Sequence, residues 1–163
     1  MTANEMHVHS DVCKAGLQKL LDSAINWGAT LGNMQIYNPS NKCLEIVVQH
    51  GFNDFFLDNF SSVETTGSTI CAMAFRLGSR VCFSDLNQNP KFALMLSRIG
   101  TNYFNAVQST PILSKDGLVI GVFSTHFPQP INMTSEMEEA WDAIAEDMAT
   151  QIENHVPEVI PSF

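Results

Sequence analysis

Ala106-Val107-Gln108-Ser109-Thr110-Pro111-Ile112-Leu113, then Ser114-Lys115-Asp116-Gly117, then Leu118-Val119-Ile120-Gly121-Val122-Phe123-Ser124-Thr125-His126-Phe127 is the stretch on which the fold turns. Two strand-length apolar runs flank an Asp-Gly pair, which is a strong signal for a tight hairpin turn. Polar residues interrupt runs that otherwise read as buried, among them Gln108 and Thr110 in the first and Ser124 and His126 in the second. Side chains alternate between the faces of a strand, so residues two apart share a face. Each pair therefore sits together on one side of its strand, and a few polar groups on an apolar wall are what a ligand pocket needs. Met73, Phe83 and Phe104 are candidates for the apolar part of such a lining.

Outward from this hairpin, Ser135 with Glu138 matches a capping box, and Met137, Trp141, Ile144, Ala145, Met148 and Ile152 follow at helical spacing until Pro157. Toward the N-terminus, Arg80–Ser84 reads as a short strand, Asp85 to Pro90 as a loop and Phe92–Ile99 as a helix. Ile70–Leu77 reads as a helix ended by Gly78, and Asn53–Phe60 as a short Phe-rich helix. Leu31–Tyr37 and Cys43–His50 alternate as strands around the turn Asn38-Pro39-Ser40-Asn41-Lys42. Ahead of them Cys13, Leu17, Leu20, Leu21 and Ala24 form one face of a helix capped by Ser10 or Asp11 and ended at Gly28. Residues 1–10 are expected to fray, residues 11–156 to form the domain, and residues 157–163 to be a tail. Strong strands joined by hairpins predict an antiparallel α+β domain.

Composition narrows the function. The chain has 163 residues, 45% of them hydrophobic and 15% charged, which suits one globular domain. No apolar run approaches the roughly 18 residues of a membrane span. Met1–Asp11 has no basic segment leading into an apolar one, so no secretory signal is read there and a cytoplasmic location is expected. Seventeen acidic against eight basic residues give a formal net charge of −9. That balance argues against nucleic acid and against anionic membranes as partners. Cys13, Cys43, Cys71 and Cys82 form no C-x-x-C pair and are read as reduced thiols. The histidines show no ligand spacing, so no metal site is expected, and His126 alone is a weak argument for haem. There is no Gly-x-Ser-x-Gly elbow, which removes the hydrolase reading of Ser109 and Ser124.

The element order, with the hairpin above, Gly32–Tyr37, Val48–Phe52, Gly67–Cys71, Asp85 and Pro90-Lys91-Phe92, resembles the GAF domains of bacterial signalling proteins over roughly residues 11–155. The resemblance implies a central antiparallel sheet, with terminal helices on one face and short helices and loops enclosing a pocket on the other, a GAF/PAS-like arrangement. It also implies a dimeric sensor that passes ligand binding through its terminal helices. Bilin-attaching members carry a Cys usually followed by His, and no cysteine here has one. Members that bind cyclic nucleotides carry Asn-Lys and then a Phe followed by Asp-Glu; Asn41-Lys42 is present without the second part. The enzymatic branch, the free methionine sulfoxide reductases, has a cysteine where Cys71 stands, but its attacking thiolate comes later, and residues 86–105 hold no cysteine. The expectation is a non-enzymatic module with an unidentified small-molecule ligand and no known cofactor. The ligand-binding candidates are Met73, Phe83, Phe104, Gln108, Thr110, Ser124 and His126. The alternatives are a redox enzyme using Cys71 and a ligand-free dimerisation module.

Overall fold

The computed structural model describes residues 11–91 and 104–155. The predicted helix Phe92–Ile99, the N-terminal residues 1–10 and the tail 157–163 lie outside them. In chain order the elements are α1 (Asp11–Ser23), β1 (Leu31–Asn38), β2 (Cys43–His50), α2 (Asp54–Phe60), β3 (Ser62–Glu64), α3 (Ile70–Leu77), β4 (Val81–Phe83), a short 3-10 turn (Leu86–Gln88), β5 (Ala106–Leu113), β6 (Val119–Phe127) and α4 (Ser135–His155). The strands form one sheet in the order β3-β2-β1-β6-β5-β4, with every neighbouring pair antiparallel. This is the expected α+β architecture.

Local chemistry explains most of the boundaries. Asn53 caps α2 by accepting from the Phe56 amide, and Thr69 caps α3 by accepting from the Ala72 amide. Gly78 ends α3 in the left-handed conformation (φ 66°) that glycine adopts without strain. The β5–β6 turn closes on Ser114, whose Oγ accepts from the amides of Asp116 and Leu118, with Gly117 at φ 83°. Three boundaries differ from the sequence reading. The first helix stops at Ser23 rather than Gly28, because the chain turns through Trp27 and Gly28, both at positive φ. The last helix is capped by Thr134, which accepts from the Met137 amide, so the Ser135/Glu138 capping box is not the one used. A short edge strand, Ser62–Glu64, to which the sequence reading assigned no element, pairs with β2.

The sheet is buried on both sides. On one side, α1 and α4 pack Leu17, Leu21, Trp141, Met148 and Ile152 against Met34, Ile36, Ile112 and Phe123. Burying each such side chain fully contributes about 1.5–3 kcal/mol. The two helices approach closely: a Cβ on Gly16 would lie 2.7 Å from Oε1 of Gln151. On the other side, α2, α3 and the loops pack Phe52, Phe56, Ile70, Leu86 and Phe104 against Leu31 and Val107. This second side positions the site.

Candidate functional site

The sheet register decides which polar strand residues meet. Ser109 on β5 stands opposite Ser124 on β6, and Asn33 on β1 stands opposite Ser124 on its other flank. By alternation, Asn33, Gln35, Val107, Ser109, Ser124 and His126 share the face away from the long helices. They line a cavity of about 60 Å³, completed by Phe56 and Phe60 of α2, Val63, Thr69, Ile70 and Cys71 at the start of α3, and Phe104. A buried water needs roughly 10–15 Å³ measured this way, so the space suits a small organic molecule or a few waters.

Of the sequence candidates, Phe104, Ser124, His126 and Cys71 line this cavity. Met73 and Phe83 pack behind it in the same apolar cluster. Gln108 and Thr110 are turned to the opposite face. There Gln108 Nε2 donates to Thr125 (3.1 Å), Thr110 donates to Gln108 Oε1, and Arg80 Nε donates to Thr110 (3.0 Å). The two polar pairs that interrupt the hairpin thus serve different sides of the sheet. Asn33, Gln35, Thr69 and Ser109 are polar lining residues that were not among the expected ligand-binding residues. Their signal was present: Asn33 and Gln35 are polar alternates in a strand that proves central, between β2 and β6, with both faces buried.

The hydrogen bonding inside is incomplete. Ser109 and Ser124 satisfy each other, hydroxyl to hydroxyl at 2.6 Å. Asn33, Gln35 and His126 are only 5%, 2% and 6% exposed, yet Asn33 Oδ1, Gln35 Oε1 and His126 Nδ1 have no partner. Among the described residues only one other buried side-chain polar atom is in that position, Trp141 Nε1. Leaving a buried polar group unpaired costs about 1–3 kcal/mol, and native folds tolerate few of them. Three around one cavity is therefore a built-in demand for a partner.

His126 is ringed by aromatics, with Phe104 at 4.4 Å and Phe52 at 5.1 Å between ring centroids, both edge-on. Burial holds its pKa down at about 3, against a backbone hydrogen bond to Leu31 that raises it. The imidazole is therefore neutral near pH 7. The interaction with the Leu31 backbone favours the protonated ring, and burial outweighs it. Burial also pushes up the Cys71 thiol, outweighing hydrogen bonds from Thr69 (3.3 Å) and Gln35. All four cysteines are free. Cys71 is a protonated thiol beside the cavity rather than an activated thiolate.

A wider groove of about 400 Å³ lies on the helix face, beside Gly78, Arg80, Thr110 and Asp142. Its Arg80 is already paired: it bonds Thr110 and Asp142, lies 3.7 Å from Glu138, and stands over the Trp141 ring. The groove lacks the unmet groups of the smaller cavity. No group of His, Cys, Asp and Glu suited to a metal occurs among the described residues, and none of their helices is long and apolar enough to cross a membrane.

The profile of a family described as "GAF domain" matches residues 15–153. No curated protein sequence matches the chain. Among solved structures, the GAF domain of an Acinetobacter phosphoenolpyruvate-protein phosphotransferase superposes with a TM-score of 0.71 at 11% identity, covering 93% of this chain and 90% of that one. A type II free methionine-R-sulfoxide reductase from Thermoplasma acidophilum gives 0.72 at 15%, covering 94% and 96%. A domain of a two-component sensor histidine kinase protein from Sinorhizobium meliloti gives 0.65 at 13%, covering 90% and 92%. At these identities the likeness concerns the fold.

Proposed function

The chain belongs to the GAF domain family, and on that premise we propose that it is a small-molecule-sensing module of signal transduction rather than an enzyme. The observation that carries the reading is the cavity whose walls hold three buried, unpartnered polar atoms. A scaffold with no ligand gains nothing from such groups, whereas a ligand that pairs with them turns a cost into binding energy. The same fold occurs in a sensor kinase domain and in a methionine sulfoxide reductase, so the choice rests on the site. The enzymatic alternative needs a thiolate, and burial keeps Cys71 protonated. The rival predicts fast labelling of Cys71 by iodoacetamide at neutral pH. Our reading predicts slower labelling than that of an unfolded control.

Signal output is assigned to the terminal helices. Ser109 faces the cavity, while Gln108 and Thr110 on either side of it face α4 and hold Arg80, which bonds Asp142 and the Glu138 carbonyl. A ligand that displaces β5 thus biases the seating of α4, a shift between two helix arrangements. Homodimerisation through α1 and α4 is a second element of the proposal. It has the weaker support, because Leu17, Leu21, Trp141, Met148 and Ile152 are already consumed by the chain's own core.

The test is a native mass spectrum of gently purified protein, repeated after denaturation and on Val107→Phe, which fills the cavity. An added mass that leaves on denaturation and is missing from the variant supports the reading. An adduct carried equally by the variant contradicts it.

A further inference from the structure

The cavity also indicates what kind of molecule it takes. We propose that it selects a small uncharged molecule bearing hydrogen-bond donors on an apolar body, with a primary carboxamide as the simplest such group, and that it rejects anions and cations of the same size. This rests on the sensing reading above and narrows it.

Three observations carry the inference. The described lining residues are Asn, Gln, Ser, Thr, Cys, His, Phe, Ile and Val, without one carboxylate, ammonium or guanidinium. An ionised ligand group would lose its hydration and find no opposite charge in exchange. Two of the unpartnered atoms are acceptors, the side-chain carbonyls of Asn33 and Gln35, and the third, Nδ1 of the neutral His126 ring, accepts or donates with the tautomer. An occupant must supply N–H or O–H groups to the two carbonyls, and a carboxylate supplies none. The remaining wall is aromatic and aliphatic, with Phe56 and Phe60 stacked at 4.8 Å and Phe104 against His126. That wall fits an apolar body or the flat face of an amide. Terminal amide and imidazole torsions are broad, so small rotations present these three atoms to a ligand. A free amino acid, charged at both ends, matches none of this.

The test uses three near-isosteric probes, butyramide, butyrate and n-butylamine, titrated into the ¹⁵N-labelled full chain near neutral pH. The expected result is a saturable shift of the His126 Nδ1 and Asn33 and Gln35 side-chain resonances with butyramide, at least about tenfold tighter than with either charged probe. Val107→Phe, or Ile70→Phe if the first variant folds poorly, is expected to abolish it. Equal or tighter binding of butyrate or n-butylamine at those resonances overturns the uncharged class and leaves the sensing reading intact. No saturable shift from any probe also overturns this inference. The sensing reading is tested apart from this, and a native-mass adduct that survives in the filled-cavity variant contradicts it.

Discussion

His126 is a titratable group held in a place that forbids its charge. Its folded pKa of about 3 lies below the ordinary 6.5. Between those values the unfolded chain binds a proton there and the folded chain does not, so stability rises with pH across that window. Above pH 6.5 both states are neutral and the term is flat. As pH falls from 6.5 toward 3, the fold is expected to lose about 1.4 kcal/mol per unit from this residue alone. Urea unfolding of wild type and His126→Gln across pH 4–7 measures it. The variant is expected to show a shallower slope, and parallel slopes would remove His126 as the cause. The residue was visible in the sequence as a polar interruption, but its neutrality was not. That follows from the rings of Phe52 and Phe104, which are distant from it in the chain.

The elements were mostly legible, because each is written in local chemistry. Hairpin turns, the Gly78 stop and the apolar stripe of α4 are signals within a few residues of one another. What local chemistry hides is register and neighbour. Gln108/Thr110 and Ser124/His126 are each correctly paired within a strand, but which pairs share a face depends on the alignment Ser109↔Ser124. Asn33 and Gln35 read as ordinary polar alternates until β1 is known to be covered on both sides. At this scale Gly121 is the sharpest test of the β1–β6 pairing. A Cβ there would stand 2.4 Å from the Gln35 backbone oxygen, and backbone cannot move aside as a side-chain tip can. Gly121→Ala is therefore expected to destabilise the fold by about 1–3 kcal/mol, read as a lower urea midpoint. An unchanged midpoint would mean that the strands are not packed this closely.

At the scale of the whole molecule, one sheet separates two chemistries. The helix side is packed, with Trp141 Nε1 as its unpaired buried atom among the described residues, and Arg80 ties Thr110 to Glu138 and Asp142 of α4 there. The cavity side is small, neutral and short of hydrogen-bond partners. β5 belongs to both, and on the proposed reading it carries ligand occupancy to the terminal helix. Asp142→Asn cuts that route without touching the cavity. It is expected to leave the affinity for butyramide within about twofold, while weakening the ligand's protection of α4 amides in hydrogen exchange. Equal protection in the variant would move the route elsewhere.

The most direct measurement of the central claim is thermal unfolding of wild type and Val107→Phe against a panel of small uncharged donors. A compound at about a hundred times its Kd stabilises by about 2.7 kcal/mol, which for a domain of this size is a rise in Tm of roughly 5 °C or more. The account predicts such a rise for some members of the panel with wild type and none with the filled-cavity variant. Equal responses in both proteins, or none in wild type, would contradict it.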